Sequence, residues 1–298
     1  MNQTSKTRYS TAMGSLALSM FIFGTIGIFV RYIPLPSSLI ALVRSVVGLL
    51  FLVAVTLIKG SGFSLASIKS KLPVLALSGV LMGFNWILLF EAYRYTTVAT
   101  ATLCYYLAPV FLILASPIVL KEKLTAKKLL CAAVALAGMI FVSGVMQAGF
   151  SGVQELKGVL LGISAALLYA SVVLLNKRSG NVPPINRTMV QMAAAAVVLL
   201  PYVLLTENIS ALQSDSRGLI LLLVVGIVHT GFAYLLYFGS MNDLKAHTLA
   251  IFSYIDPIVA ILLSALVLGE PLGPGGIIGA VLILGSAFIS ELPDKKKH

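Results

Sequence analysis

Asp256 and His229 are the side chains of this sequence whose type and surroundings best suit chemistry. Each lies near the middle of a long apolar stretch, Asp256 within Phe252-Ser253-Tyr254-Ile255-Asp256-Pro257 and His229 within Ile227-Val228-His229-Thr230-Gly231. If those stretches cross a bilayer, an ionised group facing lipid costs about 2.5–3.5 kcal/mol, so both side chains must turn toward a polar interior. A carboxyl alone can hold a cation. A carboxyl near an imidazole can also exchange a proton near neutral pH, or work as acid and base on a bound molecule. Asn85, Trp86, Tyr105, Tyr169, Tyr234 and Ser253 add amide, hydroxyl and aromatic groups at comparable depth. Aromatic faces attract ammonium groups, so the set suits a cation or a zwitterion with an amino group.

The elements that position these residues are membrane helices. With 59% hydrophobic residues, 10% charged residues and a mean hydropathy of +1.01, the chain has more apolar surface than one soluble core can hide. Its apolar runs reach the roughly 20 residues a helix needs to cross hydrocarbon, and they lack the alternation of a lipid-spanning barrel. Ten helices are expected, near 10–30, 37–58, 72–93, 97–120, 126–146, 157–176, 185–206, 217–240, 246–268 and 274–291. Arg31-Tyr32-Ile33-Pro34 offers no small-residue cleavage site, so the first helix is expected to be retained. Cys104 and Cys131 fall inside expected helices and suit core packing rather than a disulfide.

The net charge of +11 resides in inter-helix loops and tails, which excludes a nucleic-acid face and points to orientation instead. With both termini cytoplasmic, most Lys and Arg fall inside, and Arg31, Arg94, Lys157 and Arg217 fall outside. Arg44 lies within the second helix.

The chain is also a duplication. Phe84 matches Phe232, Leu88 matches Leu236, Thr100 matches Thr248, Tyr106 matches Tyr254, and Pro109, Glu122 and Leu124 match Pro257, Glu270 and Leu272, with no gap. Two halves result, 1–150 and 151–298. Five crossings per half is odd, so the second copy is expected upside down. Lys121-Glu122-Lys123 accordingly keeps its lysines where Gly269-Glu270-Pro271 has none. Inverted halves imply alternating access, with Pro109 and Pro257 as hinges at equivalent places, each freeing a carbonyl one turn before it, at residue 105 or 253. Asp256 stands opposite Ala108, and His229 opposite Leu81. Those breaks in the repeat mark them as substrate-binding candidates.

Glu91-Ala92-Tyr93, the Thr- and Ala-rich helix after it, Pro109 and Leu120-Lys121-Glu122-Lys123-Leu124-Thr125 resemble the EamA domain of the drug/metabolite transporter superfamily, and Pro257 to Leu272 resembles its second copy. The resemblance covers essentially the whole chain. It implies ten helices in two inverted repeats around a central cavity lined by the first, third, fourth, sixth, eighth and ninth helices. It also marks Phe23-Gly24, where members often carry Trp-Gly, as a cavity position.

On helical periodicity Leu249, Phe252, Ser253, Asp256 and Ala260 share one face and Tyr254 points away. Carried through the repeat, this favours Tyr105 over Tyr106 as a cavity residue. Glu91 is expected to pair with Arg94 or Arg44. Glu122 and Glu270, being repeated, are expected to hold short turns through neighbouring amides. No phosphate-cradling loop, zinc-ligand cluster or nucleophile–base pair is present in the sequence, so no cofactor or metal is expected.

The expectation is an all-α carrier in a bacterial inner membrane, with a small polar metabolite and the lipid bilayer as its partners. Export of amino acids or related metabolites comes first, and proton-coupled import of a cationic or zwitterionic nutrient second. An intramembrane enzyme acting on a lipid, with His229 and Asp256 as acid and base, and a passive pore are the rivals from other classes.

Overall fold

Hydrocarbon offers no partner to a backbone N–H or C=O, so a chain this apolar must satisfy both groups within helices. The computed structural model describes residues 3–60, 68–119, 121, 125–142, 153–180, 182–207, 216–241, 244, 246–270 and 272–292. Among the described residues there are helices and no strands. They are α1 (Gln3–Tyr32), α2 (Ser37–Ile58), a 3₁₀-helix (Lys69–Lys71), α3 (Leu72–Tyr95), α4 (Val98–Tyr105), α5 (Ala108–Val119), α6 (Ala126–Val142), α7 (Val153–Ser179), α8 (Pro184–Thr206), α9 (Ser216–Val224), a π-helix (Val225–Phe232), α10 (Ala233–Met241), α11 (Ala246–Ser253), α12 (Ile255–Val267) and α13 (Pro274–Glu291). Seven stretches are long and apolar enough to cross a membrane: Arg8–Tyr32, Ser37–Ile58, Lys69–Tyr95, Val98–Ala115, Val153–Ser179, Pro184–Thr206 and Ser216–Ser240. Ile255–Val267 and Pro274–Ser290 are apolar but shorter.

Three expected helices differ from simple rods. The one expected at 97–120 breaks at Tyr106-Leu107 into α4 and α5, and the one at 246–268 breaks at Tyr254 into α11 and α12. Each break precedes a proline seated in the first turn of the new helix, where a missing N–H is best tolerated. The stretch expected at 217–240 widens into a π-helix at its middle, and Ala233 N–H reaches back to Val228 O. Such insertions re-aim side chains and concentrate at functional sites.

Helix contacts follow small residues. α3 lies against α7 and α8, α1 against α10 and α12, α2 against α8 and the π-helix, and α6 against α13. Gly79 and Gly83 face Gln191, Ala195 and Leu199 of α8, while Gly158 and Gly162 face Thr96 and Cys104. At the α6–α13 crossing the two glycines meet. A Cβ on Gly279 would stand 2.6 Å from Gly138 O, and one on Gly138 would stand 3.0 Å from Gly279 O. Backbone on backbone cannot yield. The turns after α5 and α12 share a left-handed residue, Lys121 (φ 56°) and Gly269 (φ 65°), at positions matched in the two halves. The two matched turns therefore share a backbone shape, which glycine adopts without strain and lysine does not.

Gly279→Leu should destabilise the protein by about 1–3 kcal/mol through overpacking, whereas Gly14→Leu, with nothing within 4 Å of its Cβ, should leave it unchanged. Thermal unfolding in detergent measures both; equal melting temperatures would contradict this packing.

Candidate functional site

Where α4 and α12 begin and end, the breaks bring together the groups that the apolar helices cannot otherwise hold. Pro257 has no N–H for the Ser253 carbonyl, and Tyr106 supplies the replacement: its hydroxyl lies 3.0 Å from Ser253 O and 3.2 Å from Asp256 Oδ2. That hydroxyl has one proton for two acceptors. When the carboxyl carries a proton, it can donate to Tyr106 Oη and leave the phenol proton for Ser253 O. The sequence favoured Tyr105 over Tyr106 as the inward residue. The structure turns Tyr106 onto Asp256 because the break at 106–107 ends the helical period on which that choice rested. Tyr105 is inward as well, its ring centroid 6.5 Å from that of Tyr106 and its hydroxyl 3.5 Å from Asn85 Oδ1.

Aromatic rings continue the wall. Tyr169 of α7 stacks obliquely on Tyr105 with centroids 5.3 Å apart. It remains 43% exposed although it sits mid-helix and also faces Tyr234, Tyr237 and Asp256 across the molecule. Exposure on the inward side of a helix marks a solvent-accessible interior. Phe23 joins from α1, with centroids 5.3 Å from Tyr234 and 6.4 Å from Tyr237. The approach of α1 depends on Gly24, whose Cβ would meet Asp256 O at 2.6 Å. Ser253 and Asp256 are partly exposed to this space.

A second layer is buried. Asn85 (1% exposed) donates to Ala165 O at 2.6 Å, tying α3 to α7. Trp86 (5% exposed) lies beneath the Arg44 guanidinium, whose carbon is 4.3 Å from the ring centroid. Arg44 Nε donates to Thr230 Oγ1 at 2.8 Å, and Thr230 in turn donates to Val225 O, five residues back along the π-helix. His229 (1% exposed) does not meet Asp256. Its Nε2 is 2.8 Å from Thr25 Oγ1 and its ring lies edge-on to Phe29 at 4.6 Å. The Thr25 hydroxyl donates to Ile22 O, and the other ring nitrogen, Nδ1, lies 3.5 Å from Val224 O, so both imidazole nitrogens are engaged within the protein. The π-helix turns His229 toward α1, so the His–Asp contact that the sequence left open does not form.

One end of the molecule is closed by polar contacts. Glu270 takes Arg31 Nη2 at 2.7 Å, the Val98 N–H at 3.1 Å and Ser264 Oγ at 2.9 Å, while Arg31 also donates to Tyr93 O. The amide that Glu270 accepts is thus not that of its own turn but of the first turn of α4, where the helix dipole favours a carboxylate. Its repeat partner Glu122 lies outside the described residues. Glu91 accepts from Ser37 Oγ at 2.7 Å and pairs loosely with Arg94 at 3.8 Å; Arg44, the other partner considered, is committed to Thr230 and Trp86. Among the described residues no three His, Cys, Asp or Glu side chains converge as metal ligands.

The candidate that the sequence reading leaves out of the site is Arg44, which it places within the second helix as a partner for Glu91. An arginine inside an apolar helix is itself the signal of a functional candidate.

The EamA-like transporter family matches the chain twice, over residues 11–144 and 156–292. The uncharacterized transporter YxxF of Bacillus subtilis (strain 168) is 31% identical over 268 residues, covering 89% of this chain and 84% of its own length. An uncharacterized transporter of Archaeoglobus fulgidus is 27% identical over 288 residues, covering 95% of this chain and 96% of its own length. A solved crystal structure with 21% sequence identity superposes with a TM-score of 0.63 over 94% of this chain and 97% of its own, which shows a shared fold. With long apolar helices, polar groups gathered at their breaks and a family match along nearly its whole length, this chain belongs to the EamA-like transporter family and is a multi-pass, all-helical membrane transporter.

Proposed function

We propose that the protein is a secondary carrier of the bacterial inner membrane that exports amino acids or related small polar metabolites by alternating access. It would use ten helices in two inverted halves, 1–150 and 151–298, with both termini cytoplasmic. The observation that carries this reading is the Asp256 carboxyl at a helix break, bonded to Tyr106 and facing a solvent-accessible wall of Tyr105, Tyr169, Tyr234 and Phe23. A carboxylate among aromatic faces suits the ammonium group of such a substrate.

Support for exchangeable halves comes from the pairing pattern. α1 rests on α10 and α12 as α7 rests on α3 and on α4 with α5; α2 meets the π-helix as α8 meets α3; and α6–α13 and α2–α8 pair counterpart with counterpart. These pairings map onto one another, or onto themselves, when the halves are swapped; the contact of α4 with α12 does not. The Glu270–Arg31 cluster would close the outer mouth, and Pro109 and Pro257 would let the half-helices swing. Proton-coupled import stays as the second reading because the Tyr106 hydroxyl, with one proton for two acceptors, favours a proton that comes and goes at Asp256. Acid–base chemistry on a lipid is disfavoured, since His229 and Asp256 have separate partners.

In proteoliposomes, Asp256→Asn should reduce counterflow of amino acids to that of empty vesicles while its melting temperature stays near wild type; full counterflow in that variant would remove Asp256 from the site. Ala99, buried behind the Glu270 cluster, gives a second test. Glu270→Gln should raise labelling of an Ala99→Cys protein by an impermeant maleimide several-fold from the outer side, and an unchanged rate would show that the cluster is no gate.

A further inference from the structure

The mid-membrane polar groups of this transporter fall into two kinds. Gln191 spends both amide protons on Ser78 Oγ and Asn176 Oδ1, and Asn85 and His229 are likewise bonded to neighbouring helices. These join helices. Arg44 is different. It is only 5% exposed and carries a permanent charge, yet the described ion pairs are Arg31–Glu270 and Arg94–Glu91, and neither includes it. A buried charge without a counter-ion is costly by several kcal/mol, and cation–π contact with Trp86 and Phe90 offsets a fraction of that.

The protein fixes the orientation of this guanidinium without pairing its charge. Nε is held by Thr230, one face rests on Trp86, and Gly48, one turn along α2, lets the helix approach Thr230 closely enough for the bond. The guanidinium also bonds the Tyr234 side chain, which uses one of its Nη donors and leaves the others without a carboxylate among the described ion pairs. The groups that face the guanidinium are Tyr93, Tyr105 and Tyr234, with Asp256 within electrostatic reach but not paired. Tyr105 and Tyr234 are the rings that line the wall opposite Asp256.

We infer that Arg44 is a substrate-binding residue whose Nη fork takes the carboxylate of the transported molecule, so that the site accepts a zwitterion with its carboxylate on Arg44 and its amino group toward Asp256. The planar guanidinium presents two parallel N–H donors at the spacing of carboxylate oxygens, a geometry that lysine lacks. Guanidinium and carboxyl, separated by a tyrosine-walled space, are complementary to the two ends of an amino acid. A substrate bearing only an amine would leave the arginine uncompensated. The inference rests on the amino-acid reading for the amino group alone; the carboxylate site stands or falls separately.

Trp86 is the single tryptophan of the chain and lies directly under the guanidinium, so its fluorescence reports on the occupant. Detergent-solubilised full-length protein is titrated with a panel of L-amino acids, the matched amino-acid amides, the matched carboxylic acids lacking the amino group, and inorganic phosphate. At least one amino acid and its deaminated acid should shift Trp86 emission saturably, with no such shift from the amide or from phosphate. Arg44→Gln should weaken that response about tenfold or more. Arg44→Lys, which keeps the charge and guards against simple misfolding, should fall between. Amides or phosphate acting as strongly as acids, an Arg44→Gln protein that titrates like wild type, or no saturable response to any carboxylate would overturn the inference. A carboxylate response lost in Arg44→Gln without amino-acid counterflow would uphold Arg44 and defeat the amino-acid reading; counterflow of amines that depends on Asp256, with no carboxylate response, would do the reverse.

Discussion

Backbone that leaves the α-helix at membrane depth exposes groups that lipid cannot satisfy, and this constraint governs the rest of the structure. The chain departs from regular helix at Tyr106-Leu107, at Val225–Phe232 and at Tyr254, each near the middle of its stretch. All three departures are met by partners inside the protein. Tyr106 serves the Ser253 carbonyl, Thr230 turns back on Val225 O within the π-helix, and Leu107 O receives both Val110 and Phe111 N–H. Irregular backbone is tolerable in a membrane only where protein or water surrounds it, so the three breaks and the polar site occur together for one physical reason.

The same economy governs the side chains. Glycines let α6 reach α13 and let α1 reach α12, and those approaches set where Phe23, Gly24 and Asp256 meet. Polar residues between helices close their hydrogen bonds locally, while Asp256 and Arg44 keep part of their capacity for the interior. The Glu270 cluster differs from both, because it joins α1, α3, α4 and the end of α12 at one mouth through a carboxylate that a small movement could release.

Much of this was legible in the residues. Apolar run lengths marked the seven stretches that are long enough to cross a membrane, and the repeat of Pro109 at Pro257 located both breaks, since a proline amide cannot serve the residue four before it. Burial cost alone sent Asp256 inward. Helical periodicity failed at the point where the prolines interrupted it, so Tyr106 rather than Tyr105 reached Asp256. The π-helix left no trace in composition, and it moved His229 to Thr25 and Thr230 to Arg44. Glu270 reached an amide in the opposite half, a long-range contact that no local pattern encodes.

The central claim is one wet space at the helix breaks, reached from one side of the membrane at a time. Tyr169→Cys, in a protein whose buried Cys104 and Cys131 are replaced by alanine, places a thiol in that wall. Impermeant thiol reagent applied to either face of sealed, oriented vesicles should label it from one side under a given condition, with the accessible side reversing when a transported substrate is added. Labelling from both sides at once, or from neither under any condition, would contradict the account.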